Sequence, residues 1–190
     1  MPTLYVYAPV SGQLVSLDCY CSKAGCNSTP PCGPSGCTHT IVGGAGFSSP
    51  IDMGWFSNGT IIRFRASSGV QSIEIEYISN VCASVGSPWT DGIKVHMYRF
   101  QNRSCYMGTI LYGHLKRRVR FVADGAWFNY PSGGWAQPIG KLPADCLCGC
   151  STGIHIHMET NVGTRTSQSC GNSLTTSSWI YSWFWNDGWC

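Results

Sequence analysis

The chain has 190 residues, 43% of them hydrophobic and only 11% charged, with a formal net charge of +3. That length suits one well-buried domain, and the charge content is far below the roughly 25% of an ordinary soluble domain. The slight positive charge excludes the dense basic patch of a nucleic-acid binder, and no run approaches the ~18 consecutive apolar residues of a membrane span. With 23 glycines and no long amphipathic window, an all-β or β-dominated fold with many turns is expected.

Residues 3–17 alternate apolar and polar around Ser11-Gly12, which predicts a hairpin. Residues 19–37 hold five cysteines among Gly, Pro and Ser, a loop that needs covalent staples. If every cysteine pairs within the monomer, an odd count sends at least one outside the segment, so this loop is tied to the body. Residues 60–65 and 70–79 flank a Ser-Gly turn and read as strands. In the second, Ile73, Ile75 and Tyr77 share one face, and Glu74 and Glu76 the other, solvated one. Further strands are predicted over 92–100 and 105–114, joined by a short loop, and over 118–123, 136–142 and 153–160. Lys116-Arg117-Arg118 reads as a solvated strand end. The tail from 178 to 190 is aromatic, and alternation sets Trp179, Tyr181 and Trp183 on one face. That set reads as core in part, with a wall- or sugar-binding face as the alternative. One domain over 1–190, with a Cys-rich extension at about 19–37, is the simplest organisation.

The 12 cysteines and the triplets at Asn27, Asn58 and Asn102 favour a secreted, extracellular chain with disulfides, glycosylated and of eukaryotic secretory origin. No basic-then-apolar segment opens it, so a secreted chain is here in mature form. Cys82 and Cys105 pair with each other or across the sheet, and Cys170 and Cys190 can close the C-terminal segment. Cys146, Cys148 and Cys150 have thiolate-cluster spacing, but disulfides are the expected reading.

Among five histidines, His155-Ile156-His157 puts two imidazoles on one strand face. One can ligate a metal while the other holds a water. Alone, the pair reads as well as two histidines on a polar sheet face. His96 reads as an ordinary strand histidine.

The surrounding text adds to the pair. Ser151-Thr152-Gly153-Ile154-His155-Ile156-His157 resembles the Ser-Thr-Gly-x-His-x-His signature of lysostaphin-like zinc endopeptidases. Tyr112-Gly113-His114-Leu115 resembles that family's Tyr-x-His-Leu strand end. Gly134 to Gly140 is similar to its glycine-rich strand ending in Ile-Gly, and Pro9-Val10-Ser11-Gly12 to its opening Pro-x-x-Gly. The His39-x12-Asp52 spacing, with Gly43-Gly44 and Ser48-Ser49-Pro50-Ile51-Asp52, resembles the β-lytic subgroup. Ile154 stands where that family has proline, and the Cys19–Cys37 loop and the long 80–105 connection depart from it.

The resemblance implies an antiparallel fold of the lysostaphin-like, duplicated hybrid-motif type with disulfide-stapled loops. It implies one zinc ion held by His39, Asp52 and His157. His155 is then the general base for the attacking water, and His114 steadies the oxyanion. Tyr112, two residues before His114, is expected on the same strand face as a further donor. The implied activity is a bacteriolytic zinc metalloendopeptidase that cleaves glycine-containing bonds in bacterial peptidoglycan. The chain is expected to act as a monomer. The alternative is a metal-binding, non-catalytic wall- or receptor-binding protein on the same fold. A defence module without metal chemistry is a third reading. No serine triad or paired-carboxylate glycosidase site stands out.

Overall fold

Period-two alternation dominates the folded chain. The computed structural model describes residues 3–15, 43–54, 56–57, 59–79, 91–131, 133–142, 154–166 and 172–185. Every regular element in those residues is a strand, and no helix among them is long and apolar enough to cross a membrane. His39, Asn27, Asn58 and every cysteine except Cys105 lie outside them.

The strands in chain order are β1 (Thr3–Tyr7), β2 (Gly12–Val15), β3 (Ser48–Gly54), β4 (Ile61–Arg65), β5 (Ser72–Ile78), β6 (Asp91–Tyr98) and β7 (Tyr106–Leu115). They continue as β8 (Trp127–Asn129), β9 (Trp135–Lys141), β10 (His155–Thr160), β11 (Thr164–Arg165), β12 (Ser173–Leu174) and β13 (Trp179–Phe184). An eight-stranded sheet has the order β12-β2-β3-β10-β7-β6-β5-β8; β1-β13-β11 and β4-β9 form two smaller sheets. Their ladders are antiparallel.

The large sheet has two unlike faces. Leu14, Ile51, Met53, Ile73, Ile75, Ile93, Val95, Met97, Ile110, Tyr112, Ile156 and Met158 face the core and join Leu4, Val6, Ile62, Phe64 and Ile139 of the smaller sheets in one cluster. β9 lies close against β6 and β7: a Cβ at Gly140 would come 2.9 Å from Leu115 and 3.0 Å from Ile93. The opposite face carries Glu74, Glu76, Lys94, His96, Thr109, Leu111, Glu159, His157 and Asp52, as cross-strand pairing requires.

Two expectations are revised. The hairpin expected over 3–17 is not formed by its described residues 3–15: β1 pairs with β13, and β2 with β3 and β12. Pro9, which has no N–H to give a ladder, lies in the connection between the two sheets. The 118–123 segment is turn and bend. Arg118 takes a left-handed φ of 60°, and its N–H donates to Asp91 Oδ2 at 2.8 Å. The aromatic tail is core in part, as expected: Tyr181 pairs with Val6 and Trp183 with Leu4, Tyr181 is fully buried, Trp183 packs partly on the core, and Phe184 is exposed. Cys105, just before β7, is disulfide-bonded. Asn102 is exposed in the turn ahead of it.

Candidate metal centre

β10 lies between β3 and β7, so its side chains meet both neighbours. All six of its residues are buried. Ile156 and Met158 face the core, and His155, His157 and Glu159 face the other way. Register puts His157 opposite Asp52 on β3 and opposite Gly113 on β7. His157 Nδ1 lies 3.0 Å from Asp52 Oδ1, and His155 Nε2 lies 3.7 Å from Asp52 Oδ2. One carboxylate thus faces both histidines of the pair.

His114 reaches the same spot by a break in its strand. Ile93 pairs with Tyr112 and Asp91 with Leu115, so Gly113 and His114 together oppose Gly92. This is a β-bulge, a device that re-aims a side chain. His114 has a φ of 59°. Its ring centroid lies 4.6 Å from that of His155 and 5.6 Å from that of His157. Asp52, His114 and His157 each offer a ligand atom, all within 4.8 Å of one another, and this group can hold a metal ion.

The bulge also relocates Tyr112. Expected beside His114, it pairs with Met158 and is fully buried in the core, on the far face of the sheet. Strict alternation would have kept residues 112 and 114 together; the extra residue of the bulge separates them. The Tyr112 hydroxyl has no hydrogen-bond partner among the described residues. Burial drives its pKa upward, with Tyr130 adding to the shift. It is no donor to the site.

Glu159 was not among the expected site residues, yet it is wholly buried and touches the site directly. Its Oε1 lies 2.7 Å from His157 Nε2, and its Oε2 accepts the Gly43 N–H at 2.8 Å. The signal was available: 155, 157 and 159 continue one strand face. Gly43 is required by this approach, since a Cβ there would stand 2.3 Å from the Phe47 ring and 2.8 Å from Glu159 Oε2. Phe47 in turn lies under Lys94, whose Nζ is 5.3 Å from the ring centroid.

Two carboxylates therefore flank one imidazole. Burial alone would depress the His157 pKa, but hydrogen bonds to Asp52 and Glu159 outweigh it and push the pKa up to about 9. The ring donates from both nitrogens in that state, and a metal ion held beside Asp52 would take the place of the Nδ1 proton.

No family model, curated protein or solved structure matches this chain.

His96 lies along the same sheet face. Its Nδ1 is 2.7 Å from Thr109 Oγ1 and its Nε2 3.0 Å from Glu76 Oε2. Glu74 accepts from the Tyr98 hydroxyl at 3.0 Å and faces Arg103 at 3.6 Å. Of the expected site residues, Asp52, His114, His155 and His157 converge, Tyr112 turns away, and His39 is outside the described residues.

Proposed function

We propose that this chain is a secreted zinc metalloendopeptidase acting on bacterial peptidoglycan, with glycine-containing peptide bonds as its substrates. The observation that carries the reading is the convergence of Asp52, His114, His155 and His157 on one sheet face, with ligand atoms of three of them within 4.8 Å. Imidazole nitrogens with one carboxylate oxygen are a donor set suited to catalytic zinc. Zinc, when bound, polarises a scissile carbonyl and lowers the pKa of water toward about 7. Asp52 and His157 are ligands in this reading, and His39 is the third.

The remaining residues supply proton transfer and charge stabilisation. His155, facing Asp52 Oδ2, takes the proton of the attacking water and returns it to the leaving amine. His114, aimed at the same spot by its bulge, donates to the oxyanion. The resemblance of residues 39–52, 112–115 and 151–157 to the β-lytic pattern supports both roles.

A second reading, a metal-binding protein without catalysis, has one observation in its favour. His114 lies inside the ligand group, and if it binds the metal it cannot serve the oxyanion.

Incubation with pentaglycine and with purified cell walls, with and without a chelator, tests the proposal. Cleavage that stops on chelation and returns with zinc is expected. Metal-loaded protein that cleaves no wall and no glycyl peptide would overturn the enzymatic reading.

A further inference from the structure

Glu159 is a wholly buried charged group beside the site that the proposed chemistry does not use. Its surroundings are unusual in that each carboxylate oxygen has a different task. Oε1 meets His157 Nε2, the ring nitrogen turned away from Asp52, while His157 Nδ1 faces the Asp52 carboxylate. Oε2 takes the backbone N–H of Gly43, four residues after His39 in the chain. Phe47 and the missing side chain of Gly43 pack this carboxylate so closely that no methyl group fits between them. A carboxylate with no solvent exposure is retained only when its oxygens are hydrogen-bonded, and here two donors share the one group.

We propose that Glu159 is a positioning residue that holds the His157 ring of the metal site in place. By accepting from Nε2 it fixes the His157 ring so that Nδ1 points at the metal beside Asp52. By accepting from Gly43 it holds the backbone at residue 43 against the same carboxylate. The inference rests on the metal site proposed above and adds an outer carboxylate to it. A carboxylate on the second nitrogen of a ligating histidine sets its tautomer and orientation, and its removal weakens metal binding about 10–100-fold.

Glu159→Gln is the variant of choice because it keeps the volume. Its amide oxygen can replace one acceptor, but its NH2 group then opposes a second donor, and the negative charge is gone. Zinc affinity is measured by competition with a chromophoric chelator, and unfolding of the metal-free protein is followed in parallel. A zinc affinity about 10–100-fold weaker than wild type is expected, together with a lower metal-free unfolding midpoint, because the buried His157 ring and the Gly43 N–H lose their charged acceptor. Unchanged affinity in Glu159→Gln overturns the inference, and so does a lower midpoint with unchanged affinity, which marks a packing role alone. Should the variant fail to fold, long-range nitrogen–proton NMR on zinc-loaded wild type decides. Zinc on His157 Nδ1 with a hydrogen-bonded Nε2–H supports the role, and zinc on Nε2 overturns it. Wild-type protein that binds no zinc removes the site itself, an outcome distinct from zinc binding that Glu159→Gln leaves intact.

Discussion

At the scale of single residues, two imidazoles contend for the third ligand position. His114 offers a ligand atom within 4.8 Å of those of Asp52 and His157, while the resemblance carried by His39-x12-Asp52 implies that place for His39. The roles separate by experiment. His114→Ala is expected to keep its zinc and to lose roughly 10²–10⁴ in hydrolysis rate, the usual range for an acid–base or donor group. His39→Ala is expected to lose the metal. Metal analysis after dialysis, set beside single-turnover cleavage, reads both; the opposite pattern makes His114 the ligand and favours the binding protein. The sequence made Asp52, His155 and His157 legible because spacing and strand period are enough to align them. Glu159 follows from the same period carried one step further. Tyr112 was misplaced because nothing in Gly113-His114 announces an extra residue in the ladder.

At the scale of elements, the bulge in β7 is what brings His114 to the site. A left-handed backbone costs a side-chain-bearing residue about 1–2 kcal/mol relative to glycine. Comparing His114→Gly with His114→Ala cancels loss of the ring. The glycine variant is expected to be the more stable by about that amount in denaturant unfolding; equal stability would mean the φ of 59° carries no strain. Strands β5, β6 and β10 were readable because their apolar residues repeat every second position. β3 was visible as ligand text rather than as a strand: Ser49 has a positive φ, and Ile51 to Gly54 are all buried, which removes the alternation. β11 and β12 are two residues each, too short for any period to show. The supposed first hairpin failed because neighbouring strands can leave for different sheets, a choice made by long-range packing.

At the scale of the whole molecule, the fold divides labour between the two faces of one sheet. The core face holds the three sheets together, and the other face holds the candidate chemistry. All-β character was legible from glycine content and alternation; which strands become neighbours was not, since partners such as β3 and β10 lie about a hundred residues apart. The disulfide at Cys105 sits at the start of β7, while His114 sits near its end. Nine strand residues at about 3.3 Å each separate them by about 30 Å. Cys105→Ser is therefore expected to lower stability by about 2–5 kcal/mol and to leave zinc affinity unchanged. Thermal unfolding and chelator competition measure the two; a variant that loses metal affinity while keeping its melting temperature would contradict this division.

Strand β10 belongs to both faces at once, and that makes it intolerant of any change in length. Because its side chains alternate, deleting a single amino acid near its start would exchange the two sets wholesale. Three polar groups would be driven into oil-like surroundings, and an isoleucine and a methionine would replace them beside Asp52. No gradual route exists from this strand to a shorter or longer one, so insertions and deletions must accumulate in the connections on either side of it.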